Sequence, residues 1–176
     1  MIRQHARTTP PIPPGSLAVS AWSRSTTILA VCALVAVCCT PWYKLNLTSS
    51  APRGVWLLHR VPAVVERGMW VTLPGPDAVE RWLPRWIPLL KPVAAVAGER
   101  VCVKEETSWI RGASYGRVYV QAQGQPLPHL VEGCFEVEAG RVFLAGTAAN
   151  SLDSRYFGTV PVSVLTAWAV PLWTWR

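Results

Sequence analysis

Lysine and acidic residues are scarce in this sequence. Of its 17 basic residues only three are lysines, and with 10 acidic residues the net charge is +7. The arginines form no basic run, and the sequence contains neither a zinc-finger spacing nor a recognition-helix pattern. We therefore expect no nucleic-acid partner, and we favour contact with anionic membrane lipid as the role of the excess charge.

A metal-binding motif is also missing. The 5 Cys and 3 His show no ligand spacing and no catalytic pattern, so we expect no metal, no other cofactor and no Ser-His-Asp triad. Three cysteines lie within an apolar segment, whereas Cys102 and Cys134 follow later in the chain. These two are candidates for one disulfide in an oxidising compartment or for two buried free thiols, and their spacing leaves both alternatives open.

No uninterrupted apolar run reaches the roughly 20 residues that a membrane-spanning helix needs. The strict run covers residues 26–39, and the stretch 25–43 adds aromatic residues suited to a membrane interface. We predict a tail at residues 1–24, a single transmembrane anchor at 25–43 and one β-rich domain at 44–176. A cleaved signal peptide and a buried core helix remain alternatives for the apolar segment.

After residue 44, short apolar runs alternate with Gly and Pro, a pattern typical of strands. Proline is frequent throughout, with 16 residues, which disfavours long helices. We therefore predict a mainly β fold class for this part of the chain. The predicted strands cover residues 54–61, 68–74, 92–98, 99–105, 116–123, 140–146 and 159–170.

Three hydroxyl residues in a row precede a predicted turn just after the apolar segment. Pro52 and Gly54 favour the turn, and a strand follows it. A serine at such a position, here Ser50, exposes its Oγ and its backbone N–H together, as a nucleophile beside an oxyanion hole requires. Taken alone, the cluster also fits an ordinary turn.

Lys91 is unusual among the lysines because apolar residues flank it on both sides, in PLLKPVAAVAG. Burial disfavours the charged amine and therefore lowers its pKa. A shift from about 10.4 to about 8 corresponds to roughly 3 kcal/mol, which burial can supply. A neutral lysine can take a proton from a serine hydroxyl. The alternative is that the amine reaches solvent or lipid headgroups.

A polar loop at residues 146–158 carries further candidate residues between two predicted strands. Asp153 and Arg155 are placed to form an ion pair that fixes the loop. Ser151 is placed to hydrogen-bond a nearby lysine amine. The alternative for this segment is an ordinary surface turn.

Together the segments NLTSSAPRG, LLKPVAAVAGERV and NSLDSRYFG resemble the serine, lysine and Gly-Asp-type boxes of type I signal peptidases, in the same order. The first box is most similar to the conjugal-transfer (TraF-type) branch of that family. The resemblance implies a signal-peptidase-like, all-β catalytic domain after a single N-terminal transmembrane helix. It covers most of residues 40–165.

The resemblance also implies a role for each matching residue. Ser50 matches the nucleophile and Lys91 the general base of a Ser/Lys dyad. Thr48 matches the hydroxyl that joins the Ser50 N–H in the oxyanion hole. Ser151 matches the residue that orients the lysine, and Asp153 and Arg155 match the pair that braces the site.

The implied function is a membrane-bound serine endopeptidase that removes leader sequences from exported preproteins. For the conjugal branch the implied substrate is a propilin or another mating-pore component, and type IV secretion components are further partners. Some relatives in this branch cyclise the pilin. The implied location is the bacterial inner membrane, with the catalytic domain on the periplasmic side. A general type I signal peptidase, a non-catalytic membrane-anchored assembly protein and, less favoured, a self-cleaving repressor are the alternatives.

Overall fold

The computed structural model describes residues 21–39, 41–146 and 148–175, so most of the predicted tail lies outside the described residues. Contacts divide the chain into two units between Ala36 and Val37, and each unit is treated separately. The first unit contains most of helix α1, Ala21–Cys39, in the predicted anchor region. None of the helices in the described ranges combines the length and the apolar character that crossing a membrane requires.

The second unit is built mainly from strands, which confirms the predicted mainly β fold class. Its helical segments are short: α2, Ser154–Phe157, and two 3₁₀ turns, Asp77–Val79 and Val162–Val164. The strands in the described residues are β1 Tyr43–Asn46, β2 Arg53–His59, β3 Trp70–Leu73, β4 Leu89–Val96, β5 Arg100–Lys104, β6 Thr107–Ile110, β7 Ala113–Arg117, β8 Gln121–Ala122, β9 Gln125–Pro126, β10 Gly133–Glu136, β11 Arg141–Leu144, β12 Val160–Pro161 and β13 Ala167–Trp175.

The largest sheet has seven strands in the order β1-β2-β13-β3-β4-β11-β12, and every pairing in it is antiparallel. Strand β1 is an edge strand that pairs only with β2. Strand β13 lies between β2 and β3, although it follows all other strands in the chain. The sheet therefore places β13 beside β2 and β11 beside β4, although the members of each pair are far apart in sequence.

A four-stranded sheet in the order β10-β5-β6-β7 and the two-stranded β8-β9 ribbon complete the unit as described. In the four-stranded sheet, Cys102 of β5 lies opposite Cys134 of β10, and the two are joined by a disulfide. Of the two alternatives that the sequence left open for these cysteines, the structure therefore has the disulfide and not two free thiols.

Strand β4 is buried on both faces and contributes to three apolar clusters. Leu89 packs with Val71 and other aliphatic residues, Leu90 packs with Trp56, and Ala95 packs under the four-stranded sheet with Phe143. Burial on both faces explains why the β4 sequence is nearly continuously apolar instead of alternating. Any side chain on the first half of this strand therefore faces protein.

Most predicted strands are found, with three kinds of difference. The stretch 159–170 is split into β12, a 3₁₀ turn and the start of β13. The stretch 116–123 is interrupted between β7 and β8. Strands β1, β6, β9 and β10 were not predicted, because two to four residues with mixed polarity give too short a pattern to recognise.

Candidate active site

The turn that carries Ser50 is organised by Asn46, the last residue of β1. Asn46 is buried, and its Nδ2 donates to the carbonyl oxygens of Thr48, Ala51 and Pro52 at 3.0–3.1 Å. Two amide hydrogens are thus shared among three acceptors within six residues of chain. We call residues 46–52 the serine turn. Sequence reasoning assigned Asn46 no role, although it stands at the start of the first box.

Within the serine turn, the two hydroxyls form a short chain. Thr48 donates its hydroxyl hydrogen to Asn46 Oδ1 at 2.8 Å, and Thr48 Oγ1 lies 3.2 Å from Ser50 Oγ. Because a hydroxyl has one hydrogen, Ser50 is the donor of the second bond. For Thr48 to bind an oxyanion, its hydroxyl would have to rotate away from Asn46.

Lys91 occupies the third position of β4 and is almost completely buried, with 1% of its surface exposed. Burial lowers the pKa of its amine to about 8, while Asp153 acts in the opposite direction and Arg155 in the same one. The amine donates a 2.7 Å hydrogen bond to Ser151 Oγ. A lysine with these surroundings is neutral in a substantial fraction of molecules near neutral pH.

A buried ion pair holds the loop that presents Ser151. Arg155 donates to both carboxylate oxygens of Asp153 at 2.8 Å, and neither side chain is exposed. Arg155 Nη2 also donates to the carbonyl oxygens of Ser151 and Ala148, at 3.2 and 3.3 Å. We call residues 148–155 the brace loop. The bidentate pair satisfies the buried charges and fixes the Ser151 backbone.

Gly146 brings the brace loop and the serine turn close together. Its N–H donates to Asp153 Oδ2 at 3.0 Å. A Cβ at this position would lie 3.0 Å from Ser151 Oγ and 3.2 Å from the carbonyl oxygen of Ser50. A side chain here would therefore press on both segments, so glycine allows the close approach.

Ser50 and Lys91 line the same open cavity, of about 420 Å³. We call it the lysine cavity; its walls are the segments 44–50 and 87–91 with Asn150 and Leu152 of the brace loop. Lys44 crosses from one wall to the other and donates to the Pro88 carbonyl at 3.0 Å. Burial lowers the Lys44 pKa as well.

The structure thus gathers the six residues singled out from the sequence into one region, Thr48 and Ser50 on one side and Lys91 with the brace loop on the other. In the described part of the chain, no hydrogen bond joins Lys91 to Ser50. The amine is bonded to Ser151 instead. Within the same residues, no group of three or more His, Cys, Asp and Glu side chains is placed to hold a metal ion.

A family model described as signal peptidase, peptidase S26, matches residues 19–174 of the chain. A conjugal transfer protein TraF of Agrobacterium tumefaciens (strain 15955) is 35% identical over an alignment of 160 residues, and the match covers 83% of this chain and 90% of that protein. A second TraF, of Agrobacterium fabrum, is 32% identical over 75% of this chain and 82% of its own length.

A probable conjugal transfer protein TraF of Sinorhizobium fredii is 31% identical over 69% of this chain and 71% of its own length. Among solved structures, a signal peptidase I from Enterococcus faecalis V583 is similar with a TM-score of 0.40 and 19% identity. That match covers 61% of this chain and 98% of the solved one.

Proposed function

Because the chain belongs to the signal peptidase family, peptidase S26, and has TraF proteins among its relatives, we propose that it is a Ser/Lys endopeptidase that processes an exported preprotein. The observation that carries the proposal is Lys91: a buried amine, with a pKa lowered to about 8, lining one cavity with Ser50. A general base must be neutral and close to the nucleophile, and the lowered pKa and the shared cavity support these two requirements.

In the proposed first step, Ser50 Oγ attacks the scissile carbonyl while Lys91 Nζ accepts its proton. This step requires the amine to turn from Ser151 toward Ser50 once substrate excludes water from the lysine cavity. Catalytic hydrogen bonds in empty sites are often long and tighten only with substrate. Ser151 and Arg155 act as positioning residues, since they fix the direction from which the amine approaches.

In the second step, the tetrahedral oxyanion is held by the Ser50 N–H and the Thr48 hydroxyl, which leaves Asn46 Oδ1. One lost oxyanion donor typically costs about 3 kcal/mol of transition-state stabilisation. Protonated Lys91 gives its proton to the leaving amine, and the acyl-enzyme forms. Water then attacks the ester, and Lys91 again accepts and returns the proton. Attack by an amine of the substrate would give a cyclic product instead.

The acyl part of the substrate fits the lysine cavity as an extended chain. Strand β1 has one unpaired edge, and β4 pairs with β11 only from Val93 onward, so the edge of Leu89–Lys91 away from β3 is unpaired by strands of the described chain. An extended peptide can add to such edges through backbone hydrogen bonds. The aliphatic walls suit small apolar residues before the cut.

The proposed substrate is a propilin or another mating-pore preprotein. Support comes from the relatives, which are named conjugal transfer proteins. A general signal peptidase with the same chemistry would accept a wider range of leaders. A panel of unrelated preproteins distinguishes the two, because the dedicated enzyme cleaves only the conjugal substrate.

We propose that the enzyme works in contact with membrane lipid at the bacterial inner membrane, with the catalytic unit on its periplasmic side, where it would meet type IV secretion components. Exposed aromatic and aliphatic side chains near the lysine cavity support lipid contact: Trp86 is 80% exposed and Leu47 is 63% exposed. Indole rings favour the headgroup region. Flotation of the full chain with anionic vesicles measures this contact directly.

The decisive experiment incubates the candidate propilin with membranes containing wild type, Ser50→Ala or Lys91→Ala protein. Intact mass spectrometry reports cleavage, the site of the cut and any cyclic product. We expect processing with wild type only. Processing and transfer that persist in both variants would leave the non-catalytic assembly protein as the function.

A further inference from the structure

A second cavity, of about 650 Å³, borders the serine turn. Its walls include Ser50, Arg53, Trp70 and Trp175, and we call it the tryptophan cavity. Lys91 lines only the lysine cavity, whereas Ser50 lines both cavities. A peptide whose scissile bond lies at Ser50 therefore meets one cavity before the cut and the other after it.

The far wall of the tryptophan cavity is built by the pairing of β13 with β2. Trp175 lies opposite Arg53, and Thr174 lies opposite Gly54. Gly54 has a φ of +148°, and a Cβ there would lie 2.1 Å from the carbonyl oxygen of Trp173. Only glycine therefore lets β13 approach this closely, so the Trp175 ring and the Arg53 side chain stay on neighbouring strands at the cavity.

Arg53 gives the cavity its charge. Its side chain is exposed, and it has no hydrogen-bond or ion-pair partner among the described residues. The other residues that line the cavity are neutral: serine, threonine, alanine, proline and tryptophan. An unpaired guanidinium beside indole rings attracts a carboxylate, with which it can form a bidentate pair, and the rings pack against the aliphatic stem of that side chain.

We infer that the tryptophan cavity holds the substrate segment that follows the scissile bond, and that Arg53 selects an acidic side chain within it. The inference rests on the proposed function, which places the acyl segment in the lysine cavity. Arg53 is three residues from Ser50, which limits their separation to about 10 Å at about 3.3 Å per residue, so the selected side chain lies within the first three positions after the cut.

The test uses membranes containing the full chain and a propilin that wild type cleaves and Ser50→Ala does not. Asp or Lys is placed in turn at each of three positions before and after the cut, and the ratio of kcat/KM is measured. Arg53→Glu is compared with Arg60→Glu. Both substitutions reverse an exposed arginine, but Arg60 lies just beyond the opposite end of β2.

Wild type is expected to prefer Asp over Lys by about two- to fivefold at one or two positions after the cut, the range of an exposed ion pair. Arg53→Glu should reverse that preference, and Arg60→Glu should keep it. High salt should reduce the wild-type preference. Cleavage with no charge preference, or a preference that Arg53→Glu retains, overturns this inference alone. Absence of any Ser50-dependent cleavage overturns the proposed function and this inference together.

Discussion

Two buried cations stand side by side in this protein in opposite surroundings. Arg155, in the brace loop, has a carboxylate bonded to its guanidinium at two points and further carbonyl acceptors around it. Lys91, on β4, hydrogen-bonds the neutral hydroxyl of Ser151 and no other group among the residues that the structure describes. The charge of Arg155 is neutralised by its partner, whereas burial makes the Lys91 amine lose its proton more easily.

Under the proposed function, Arg155 is a structural charge and Lys91 is a reactive one. A guanidinium cannot lose its proton in a protein, so a buried arginine needs a partner. An ammonium can lose its proton, so a buried lysine without a bonded carboxylate becomes a base. Burial lowers the Lys91 pKa, and the charge of Asp153, which is bonded to Arg155 and Gly146, raises it by less. The predictions below test this division, from the largest expected effect to the smallest.

Lys91→Met tests the reactive cation. We expect propilin cleavage to fall by at least about a thousandfold, because the base is lost while the side-chain volume is retained. Lys104→Met, at an exposed lysine on β5, is the matched control and should cleave normally. Single-turnover rates measure the effect, and residual cleavage close to wild type would exclude Lys91 as the base.

Arg155→Met tests the structural cation. It leaves the Asp153 carboxylate buried without its partner, which typically costs about 3–5 kcal/mol of unfolding free energy. Arg117→Met removes an arginine from an exposed pair with Glu106 and should cost less than about 1 kcal/mol. Urea unfolding at neutral pH compares them. Equal costs for the two variants would contradict the special role of the buried pair.

Lys91→Met should also change stability, in the opposite direction from Arg155→Met. The folded pKa of about 8 lies below the ordinary 10.5, so the unfolded chain binds more protons between these values. Wild-type stability therefore rises with pH across that window, by about 3 kcal/mol in total. The variant should be more stable than wild type below pH 8 and lack this rise. Unfolding curves measured from pH 7 to pH 10.5 check the slope.

Asn46→Ala tests the serine turn, which lacks the ion pair that holds the brace loop. Three carbonyls and the Thr48 hydroxyl lose their partner, and we expect a loss of about 1–3 kcal/mol in stability. Asn150→Ala, at an exposed asparagine, is the control and should change stability by less than about 0.5 kcal/mol. If thermal unfolding shows no difference between the two, Asn46 does not organise the turn.

The rate profile against pH tests the protonation state of the same amine. Only neutral Lys91 accepts the serine proton, so kcat/KM should rise about tenfold per unit of pH well below 8 and level off above it. Single-turnover rates between pH 6 and 9 measure the profile. A profile that is flat across this range would show that the protonation state of the Lys91 amine does not control the rate.

The sequence contained enough information for the strands with strong apolar patterns and for the family. Lys91 could be expected to be buried because its neighbours are apolar on both sides, and the three boxes could be aligned with a family. The splitting of 159–170 was not visible, because its apolar pattern continues through Val162–Val164, where the backbone forms a 3₁₀ turn.

Contacts between distant segments escaped sequence reasoning. Asn46 serves the turn through hydrogen bonds to carbonyls up to six residues later, and such bonds leave no periodic pattern in the sequence. Gly146 matters only because Ser50 and Ser151 meet around it. A hydrogen bond from a lysine amine to Ser151 was expected, but not that it would stand in place of one from Lys91 to Ser50, because this depends on the position of a loop sixty residues away along the chain.

The position of β13 has a consequence for biosynthesis. Residues 167–175 supply the strand between β2 and β3, yet they are made after every other strand of the sheet. A nascent chain that has emerged only as far as residue 166 has two unpaired inner edges, and the wall opposite Ser50 is missing. The seven-stranded sheet therefore stays incomplete until residues 167–175 insert between β2 and β3.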